Sequence, residues 1–185
     1  LKSDVPYGTF LSGGIDSSLV TAVAQRNISG KLKTFTIAFA DSKYNEAEHA
    51  RKVADFLGTD HTELLVTQAD AIRLAHDMLT VYDEPYADSS AIPTMMVSQL
   101  ARSQVTMTLS GDGGDELFMG YGAYTWAQRL QNPWLQTFRK PISFAMKQGN
   151  DRLKRVGELI NYPSEAHKPS HIFSQEQGFF SRSEI

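Results

Sequence analysis

Two glycine-rich segments carry the residues whose types and spacing could do chemistry. The first motif, residues 12–18, reads Ser-Gly-Gly-Ile-Asp-Ser-Ser. Its glycines, Gly13 and Gly14, let a ligand approach the backbone, and its hydroxyls can donate hydrogen bonds to an anion. The motif lacks the Gly-x-x-x-x-Gly-Lys-Ser/Thr pattern of a Walker loop. It carries the carboxylate of Asp16 instead of a lysine, and a carboxylate beside phosphate needs a cation between them, for which Mg²⁺ is the hard-oxygen choice.

The second motif, residues 110–116, reads Ser-Gly-Asp-Gly-Gly-Asp-Glu and offers three carboxylates. One of them could share the Mg²⁺ with Asp16, and another could act as a base toward a reacting amine. Two simpler interpretations stay open, a plain glycine-rich turn for the first motif and a solvated acidic turn for the second. A calcium-binding loop is a third, but the EF-hand spacing does not fit, because a helix should precede the loop and a distal glutamate should close it.

The elements that must position these motifs alternate along the chain. Apolar periodicity predicts strands at residues 5–11, 33–39, 61–66 and 105–109, and helices at residues 17–27, 46–57, 67–82 and 90–102. The alternation predicts an α/β fold with a doubly wound, mostly parallel sheet and helices on both faces. Ligands bind such sheets where strand carboxyl ends meet helix amino ends, and both motifs occupy that position. The two motifs are therefore expected to line one crevice.

Local signals refine these boundaries. Gly58 is expected to stop the second helix, Thr67 with Asp70 predicts a capping box, and Ser90 is expected to cap the fourth helix. In the first helix, Leu19, Val20 and Val23 share one face. Beyond residue 130 the segment is broken at five places into short helical pieces without strand signals: Asn132-Pro133, Pro141, Gly149-Asn150, Pro163 and Pro169. We therefore predict a core domain over residues 1–130 and a helical extension over residues 131–185.

Composition bounds the possible partners. The 185 residues are 41% hydrophobic and include 18 basic and 21 acidic residues, a net charge of −3. This balance gives no reason to expect binding to nucleic acid or to an anionic membrane. The sequence has no cysteine and no apolar run of about 20 residues that could span a bilayer. We expect a cytoplasmic protein, and the start at Leu1, without an initiator methionine, reads as an excised segment of a longer one.

The motifs resemble those of a known family. Residues 11–18 resemble the PP-loop of the ATP-pyrophosphatase superfamily, and residues 110–121 resemble the second signature of the synthetase domain of glutamine-hydrolysing asparagine synthetases. Residues 82–93, with the acidic cluster of Asp83, Glu84 and Asp88, are similar to the intervening segment of bacterial members, although as bare charges they also fit a solvated loop. The resemblance covers about residues 5–130 and implies a fold of the adenine-nucleotide α-hydrolase type.

The resemblance also implies roles for individual residues. The first motif and its neighbour would surround ATP through Leu11, Ser12, Gly13, Gly14, Asp16 and Ser17. Ile37 would meet the adenine through its backbone, and Ser110 with Gly111 would close the nucleotide site. Asp16 and Asp115 would hold Mg²⁺ on the pyrophosphate. Asp112 stands where the family often has a glutamate that is linked to formation of the intermediate.

The implied activity is ATP-dependent amidation of a carboxylate through an acyl-adenylate, with asparagine formation from aspartate and ammonia as the prototype and AMP and pyrophosphate as products. A glutaminase domain is expected in the full-length protein. The family's catalytic lysine is expected beyond residue 185, so this chain alone should bind Mg²⁺–ATP without turnover. The same chemistry on a sugar uronate, a peptide or a β-lactam precursor is an alternative. A catalytically silent nucleotide-binding domain is another, which intact Asp16 and Asp115 disfavour.

Overall fold

The structure, a computed structural model, describes residues 3–39, 45–83, 88 and 90–177. The chain divides into two compact units, Leu1–Gly113 and Gly114–Ile185. The domain boundary that we expect at residue 130 stays a prediction. The first unit contains β1 (Tyr7–Phe10), α1 (Ile15–Arg26), β2 (Lys33–Phe39), α2 (Ala47–Leu57), β3 (Asp60–Val66), α3 (Gln68–Val81), α4 (Ala91–Arg102) and β4 (Met107–Leu109). The second contains α5 (Gly114–Phe118), α6 (Gly122–Arg129), α7 (Pro133–Lys147), α8 (Asp151–Leu159), a 3₁₀ turn (Glu165–His167) and α9 (Lys168–Gln177).

The four described strands form one parallel sheet in the order β3-β2-β1-β4. This arrangement confirms the predicted α/β class. The chain moves outward from β1 to β2 and β3 through α1 and α2, and then returns through α3 and α4 to β4, on the other side of β1. Because crossovers between parallel strands are right-handed, the outward and returning helices cover opposite faces of the sheet. The winding direction therefore changes between β1 and β4.

Different side chains pack on the two faces of the sheet. Phe35, which is fully buried, packs with Ala101 and Val105 from the α4 region. On the opposite face, Leu11 packs against Ala50 and Ala54 of α2. The α4 face therefore receives the larger side chains, whereas small residues let α2 lie close to the end of β1.

The first helix orients differently from the simplest expectation of an apolar face turned inward. Leu19 and Val23 are 51% and 55% exposed, and the buried residues of α1 are Ser17, Thr21 and Ala24. The hydroxyl groups of Thr21 and Thr9, both fully buried, are hydrogen-bonded at 2.9 Å. Because this pair satisfies two hydroxyls that burial would otherwise strip of water, the small polar face of α1 can pack on β1.

The signals at the helix ends of the first unit are confirmed in position, and one of them differs in its hydrogen bonding. Gly58 ends α2 with a φ of +70°. Thr67 and Asp70 form the predicted capping box, since the Asp70 N–H donates to Thr67 Oγ1 at 3.2 Å and the Thr67 N–H donates to Asp70 Oδ2 at 3.1 Å. Ser90 is the N-cap residue of α4, as predicted, but its hydroxyl donates to Asp88 Oδ2 at 2.8 Å and makes no capping bond to the helix.

The second unit is helical, as predicted, over its described residues, and residues 178–185 lie outside them. The break predicted at Pro141 is wrong, because α7 continues through this residue. Close packing of α7 on α8 holds the helix together there, with the buried Ser143 hydroxyl donating to Gly157 O at 2.6 Å. Among the side chains that the structure describes in this unit, the buried apolar residues form one cluster: Ala123, Leu130, Leu159, Ile160, Tyr162 and Ile172. No helix in the described part of the chain is both long and apolar enough to cross a bilayer.

Candidate functional site

The first motif and the first residues of the second motif leave neighbouring strands at the same edge of the sheet. β1 pairs with β4 in the register Gly8↔Thr108, so the chain leaves both strands beside each other. Adjacent strands whose connections lead to opposite faces leave a crevice outside their carboxyl ends, where α/β sheets bind ligands. The topology thus places the loop after β1 and the loop after β4 at one crevice, as the sequence predicts.

Hydrogen bonds between its own groups fix the shape of the first motif. The Ser12 and Ser17 hydroxyls lie 2.9 Å apart, and the Ser12 N–H donates to Ser17 Oγ at 3.3 Å. The Ser17 hydroxyl donates to Gly14 O, and the Gly14 N–H donates to Ser12 Oγ, both at 3.3 Å. The two serines therefore hold the loop in a preformed turn ahead of α1.

The amino end of α1 is open for an anion. Gly14 is the N-cap residue, and no side chain caps the helix. The Ser18 N–H makes the first helical bond, to Gly14 O at 3.1 Å, so the N–H groups of Ile15, Asp16 and Ser17 precede the hydrogen-bonded helix. Such N–H groups and the positive end of the helix dipole favour a bound phosphate.

The two glycines of the first motif have different surroundings. Gly13 has a φ of +83°, and a Cβ at this position would lie 2.6 Å from the Ala50 nitrogen and 2.7 Å from the His49 carbonyl carbon, both in α2. Gly14 has an ordinary φ of −67°, and a Cβ there would meet only Ser12 Oγ at 3.3 Å. Gly13 is therefore needed where the loop packs on α2, whereas Gly14 lies on the open side of the loop.

The second motif begins by packing directly on the first turn of α1. A Cβ on Gly111 would lie 2.7 Å from the Ser17 nitrogen and 3.1 Å from the carbonyl carbon of Asp16. Beside it, the Ser110 hydroxyl donates to Asp112 Oδ2 at 2.8 Å. The structure thus brings Ser110, Gly111 and Asp112 next to the first motif.

A cavity of about 220 Å³ lies at the carboxyl ends of β1 and β2, beside the first motif. It is mainly apolar and is lined by Phe10, Leu11, Ser12, Phe35, Thr36, Ile37, Phe39, Glu46, Pro93, Thr94 and Val97. The contributions of Pro93, Thr94 and Val97 from α4 were missed by sequence reasoning, since their spacing reads as an ordinary helix face. An apolar slot that ends at a phosphate-type loop fits a planar heteroaromatic ring followed by phosphates.

Ile37 lies in β2 beyond the last residue that pairs with β1, so its backbone N–H and C=O groups have no partner in β1. β1 ends at Phe10, which pairs with Phe35, and the Leu11 N–H donates to Phe35 O at 2.9 Å. Backbone groups alternate sides along a strand, so the N–H and C=O of Ile37 point to the same side as those of Phe35, past the end of β1. They are the groups that a ring in the cavity could meet.

The carboxylates of the motifs differ in their partners. No hydrogen bond or ion pair occupies the Asp16 carboxylate within the described residues, whereas Asp112 accepts from Ser110. In the second unit, Glu116 Oε1 accepts from the Tyr121 hydroxyl at 2.6 Å. That bond lowers the pKa of Glu116 and raises the pKa of Tyr121 to about 12. Glu84, from the acidic cluster of residues 82–93, lies outside the described residues.

No group of three or more histidine, aspartate or glutamate side chains that could hold a metal ion is present in the described part of the chain. Mg²⁺ is commonly bound through only one or two carboxylates together with substrate phosphates and water. The uncommitted carboxylate of Asp16, on the first turn of α1, matches that mode of binding. The donor set therefore fits a cation delivered with a nucleotide, and does not fit a metal held by the protein alone.

Comparison with known proteins places this geometry in a family. The family profile described as asparagine synthase matches residues 1–177. The chain is 45% identical over 122 residues to the putative asparagine synthetase (glutamine-hydrolyzing) 2 of Methanocaldococcus jannaschii, an alignment that covers 65% of this chain and 24% of that protein. It is 39% identical over 124 residues to asparagine synthetase (glutamine-hydrolyzing) 1 of Bacillus subtilis, covering 67% of this chain and 20% of the relative. The matched part of the chain thus spans about a fifth to a quarter of the length of these relatives.

Proposed function

The chain belongs to the asparagine synthase family, and we propose that it supplies the nucleotide-binding part of an enzyme that uses ATP to amidate a carboxylic acid, with aspartate as the prototype substrate. The observation that carries the proposal is the packing of the two motifs. The loop after β1 and the loop after β4 meet at the change of winding direction, beside an uncapped helix and an apolar cavity. These are the parts that a nucleotide needs: a slot for the base and N–H donors for the phosphates.

In this proposal ATP binds along the crevice of the first unit. The adenine occupies the apolar cavity and meets the backbone of Ile37, next to Leu11. The phosphates lie over Gly14 and the first turn of α1, within reach of the Ser12 and Ser17 hydroxyls. The open side of Gly14 and the free N–H groups of the first turn support this placement. Gly13 contributes by shaping the loop, and Ser110 with Gly111 borders the site from the second motif.

We assign cation-binding roles to Asp16 and Asp115, each of which would supply a carboxylate oxygen to a magnesium–nucleotide complex. Neither carboxylate makes a hydrogen bond or ion pair through its side chain within the described residues. Both therefore keep the acceptor oxygens that a hard cation prefers. When bound, the cation would neutralise charge on the pyrophosphate leaving group.

The proposed reaction has two steps. The substrate carboxylate attacks the α-phosphorus of ATP, the bond to pyrophosphate breaks, and an acyl-adenylate forms. Ammonia then attacks the acyl carbon, AMP leaves, and the ammonium proton passes to a base. Asp112, whose carboxylate accepts from Ser110, is assigned to formation of the intermediate. The ammonia would come from a glutaminase domain, as the names of the glutamine-hydrolyzing relatives suggest.

Calorimetry on Asp16→Asn tests the nucleotide site. We expect the variant to weaken MgATP binding by at least about tenfold, or ~1.4 kcal/mol, and to change ATP binding in EDTA much less. Asp77→Asn, which removes an exposed carboxylate on α3, is the matched control and should bind like the wild type. Equal losses with and without Mg²⁺ would instead identify Asp16 as a structural residue.

Gly14→Val tests the phosphate cradle separately from the cation. The backbone of Gly14 suits a side chain, and its Cβ would meet only the Ser12 hydroxyl, at 3.3 Å, so the fold should survive. The branched side chain would fill the space proposed for the phosphates. ATP binding should be lost with an unchanged melting temperature. A folded variant that binds ATP normally would exclude this loop as the phosphate-binding site.

A separate assay distinguishes a synthetase from a silent nucleotide-binding domain. Release of pyrophosphate by the full polypeptide with aspartate and ammonia would identify a synthetase.

A further inference from the structure

We call residues 114–121, which comprise α5 and the turn that follows it, the acidic turn. The residue types at the end of α5 differ from those that its backbone conformation normally favours. After α5 ends at Phe118, Met119 adopts a left-handed φ of 58°, and the Gly120 N–H donates to the Asp115 carbonyl at 2.9 Å. This is a Schellman arrangement, in which the residue after the helix is left-handed and the next N–H reaches back to the last turn. Glycine usually takes the left-handed position, because a side chain there is strained.

In the acidic turn the glycine stands one position later. Met119 occupies the strained position, and Gly120 is not among the glycines with positive φ in the described chain. The surroundings of Gly120 supply the reason for its identity. A Cβ on residue 120 would overlap Asp115 Oδ1 and lie 3.0 Å from Asp115 Cγ. The carboxylate of Asp115 therefore fills the volume that any other residue type at position 120 would need.

A side-chain bond closes the same turn. The Tyr121 hydroxyl donates to Glu116 Oε1 at 2.6 Å, which joins the residue after Gly120 to the residue after Asp115. The Tyr121 ring also stacks on Tyr124 of α6, with centroids 6.3 Å apart and planes at 29°. The backbone at Gly120 is thus held against the Asp115 carboxylate by contacts on both sides.

We infer that Gly120 is a positioning residue that sets the place of the Asp115 carboxylate through its missing side chain. Met119 carries the backbone strain that would disappear if the glycine stood at position 119. The sequence keeps the glycine at position 120 instead, where it makes room for a carboxylate. The inference rests on the proposed function, in which Asp115 is a cation ligand, and adds to it the residue that fixes how this ligand is presented.

The test is a binding cycle by calorimetry on the full polypeptide, with ATP measured in Mg²⁺ and in EDTA. The variants are Gly120→Ala, Asp115→Asn and their combination. Misplacing or loosening a ligand's support typically lowers metal affinity about 10- to 100-fold, and we expect Gly120→Ala to weaken MgATP binding within that range. Binding in EDTA should stay the same. In the Asp115→Asn background, Gly120→Ala should cause no further loss.

The outcomes separate the inference from the proposed function. If Asp115→Asn leaves MgATP binding unchanged, the proposed cation role of Asp115 fails and the inference fails with it. If Asp115→Asn weakens binding and Gly120→Ala does not, or if the two losses add, only the inference is overturned. Met119→Gly is the matched control, expected to raise the melting temperature and leave MgATP binding unchanged. If Gly120→Ala folds poorly, Met119→Gly/Gly120→Ala introduces the same methyl group in a relaxed backbone, with the same expectation.

Discussion

The first motif and the acidic turn use glycine for opposite purposes. At Gly13 the missing side chain lets one backbone approach another, because the loop after β1 lies against α2. At Gly120 it makes room for the carboxylate of a residue in the same turn. The first glycine therefore belongs to the packing of the sheet unit, and the second to the placement of one functional group. Substitutions at the two positions should separate stability from ligand binding.

Gly13→Ala should have the largest effect on stability, and it tests directly whether Gly13 is needed for packing. Left-handed backbone strain costs about 1–3 kcal/mol, and overpacking against the α2 backbone costs about 1–3 kcal/mol more. We expect the free energy of unfolding, measured with denaturant, to fall by about 2–6 kcal/mol. Gly120→Ala, which meets a side chain rather than another element's backbone, should lower it much less.

Gly14→Ala is the control for this experiment, since it adds the same methyl group to the same loop at an ordinary φ, where the new Cβ meets only Ser12 Oγ at 3.3 Å. Its effect should stay within about 0.5 kcal/mol. Similar unfolding free energies for Gly13→Ala and Gly14→Ala would mean that the contact with α2 tolerates a side chain. The distinction between the two uses of glycine would then be lost.

The buried hydroxyl pair of Thr9 and Thr21 should give a smaller effect on stability. It tests whether this pair holds α1, the helix that follows the first motif, on the sheet. Thr9→Val or Thr21→Val alone leaves the partner hydroxyl buried without a hydrogen bond, at a cost of about 1–3 kcal/mol. The double variant removes both polar groups, so its loss should be clearly smaller than the sum of the single losses. Denaturant unfolding of the four proteins measures the coupling. Additive losses would show that the pair does not hold α1 on β1.

The sequence predicted much of the fold because periodicity and turn residues agreed with the tertiary structure. The residues predicted for the second strand match β2, and the capping box of Thr67 and Asp70 formed as its spacing indicated. Periodicity failed to orient α1, because the choice of the buried face depended on Thr9, a partner in another element. Pro141 was misread for a similar reason, since packing on α8 keeps α7 helical there.

The candidate site was predictable where its residues share a motif. The loops that carry Ser12 and Gly111 lie together because β1 and β4 are neighbours, a relation that alternating elements already suggested. The cavity residues of α4, such as Val97, carry no chemical signature and could not be selected from the sequence. Gly120 stands one position after the left-handed residue that ends α5, where a glycine is not normally required. Why the residue is a glycine becomes clear only from the position of the Asp115 carboxylate, which the sequence does not give.

The free energy of unfolding should also respond to pH through the sheet unit, which contains the first motif, and not through the acidic turn. This effect is expected to be the smallest of those predicted. His61 of β3 has a side chain only 11% exposed, with Nδ1 at 2.8 Å from Thr34 Oγ1 and Nε2 at 3.5 Å from Glu63 Oε1. Burial lowers its pKa from 6.5, and although the nearby Glu63 charge acts in the opposite direction, it does not reverse the shift. By contrast, the Tyr121–Glu116 bond of the acidic turn joins a Glu116 with a pKa below 4.5 to a Tyr121 with a pKa of about 12, so it persists between pH 5 and 7.

The direction of the effect follows from proton binding. Below pH 6.5 the unfolded chain protonates His61 while the folded chain does not, so the free energy of unfolding falls with acidification until the lowered pKa of the folded state is passed. One such group contributes at most about 1.4 kcal/mol per pH unit. His61→Gln should flatten the dependence of unfolding on pH just below 6.5, and His76→Gln, at an exposed position of α3, should leave it as in the wild type. An unchanged slope in His61→Gln would place the acid sensitivity elsewhere, and the polar contacts of β3 would no longer distinguish the sheet unit from the acidic turn.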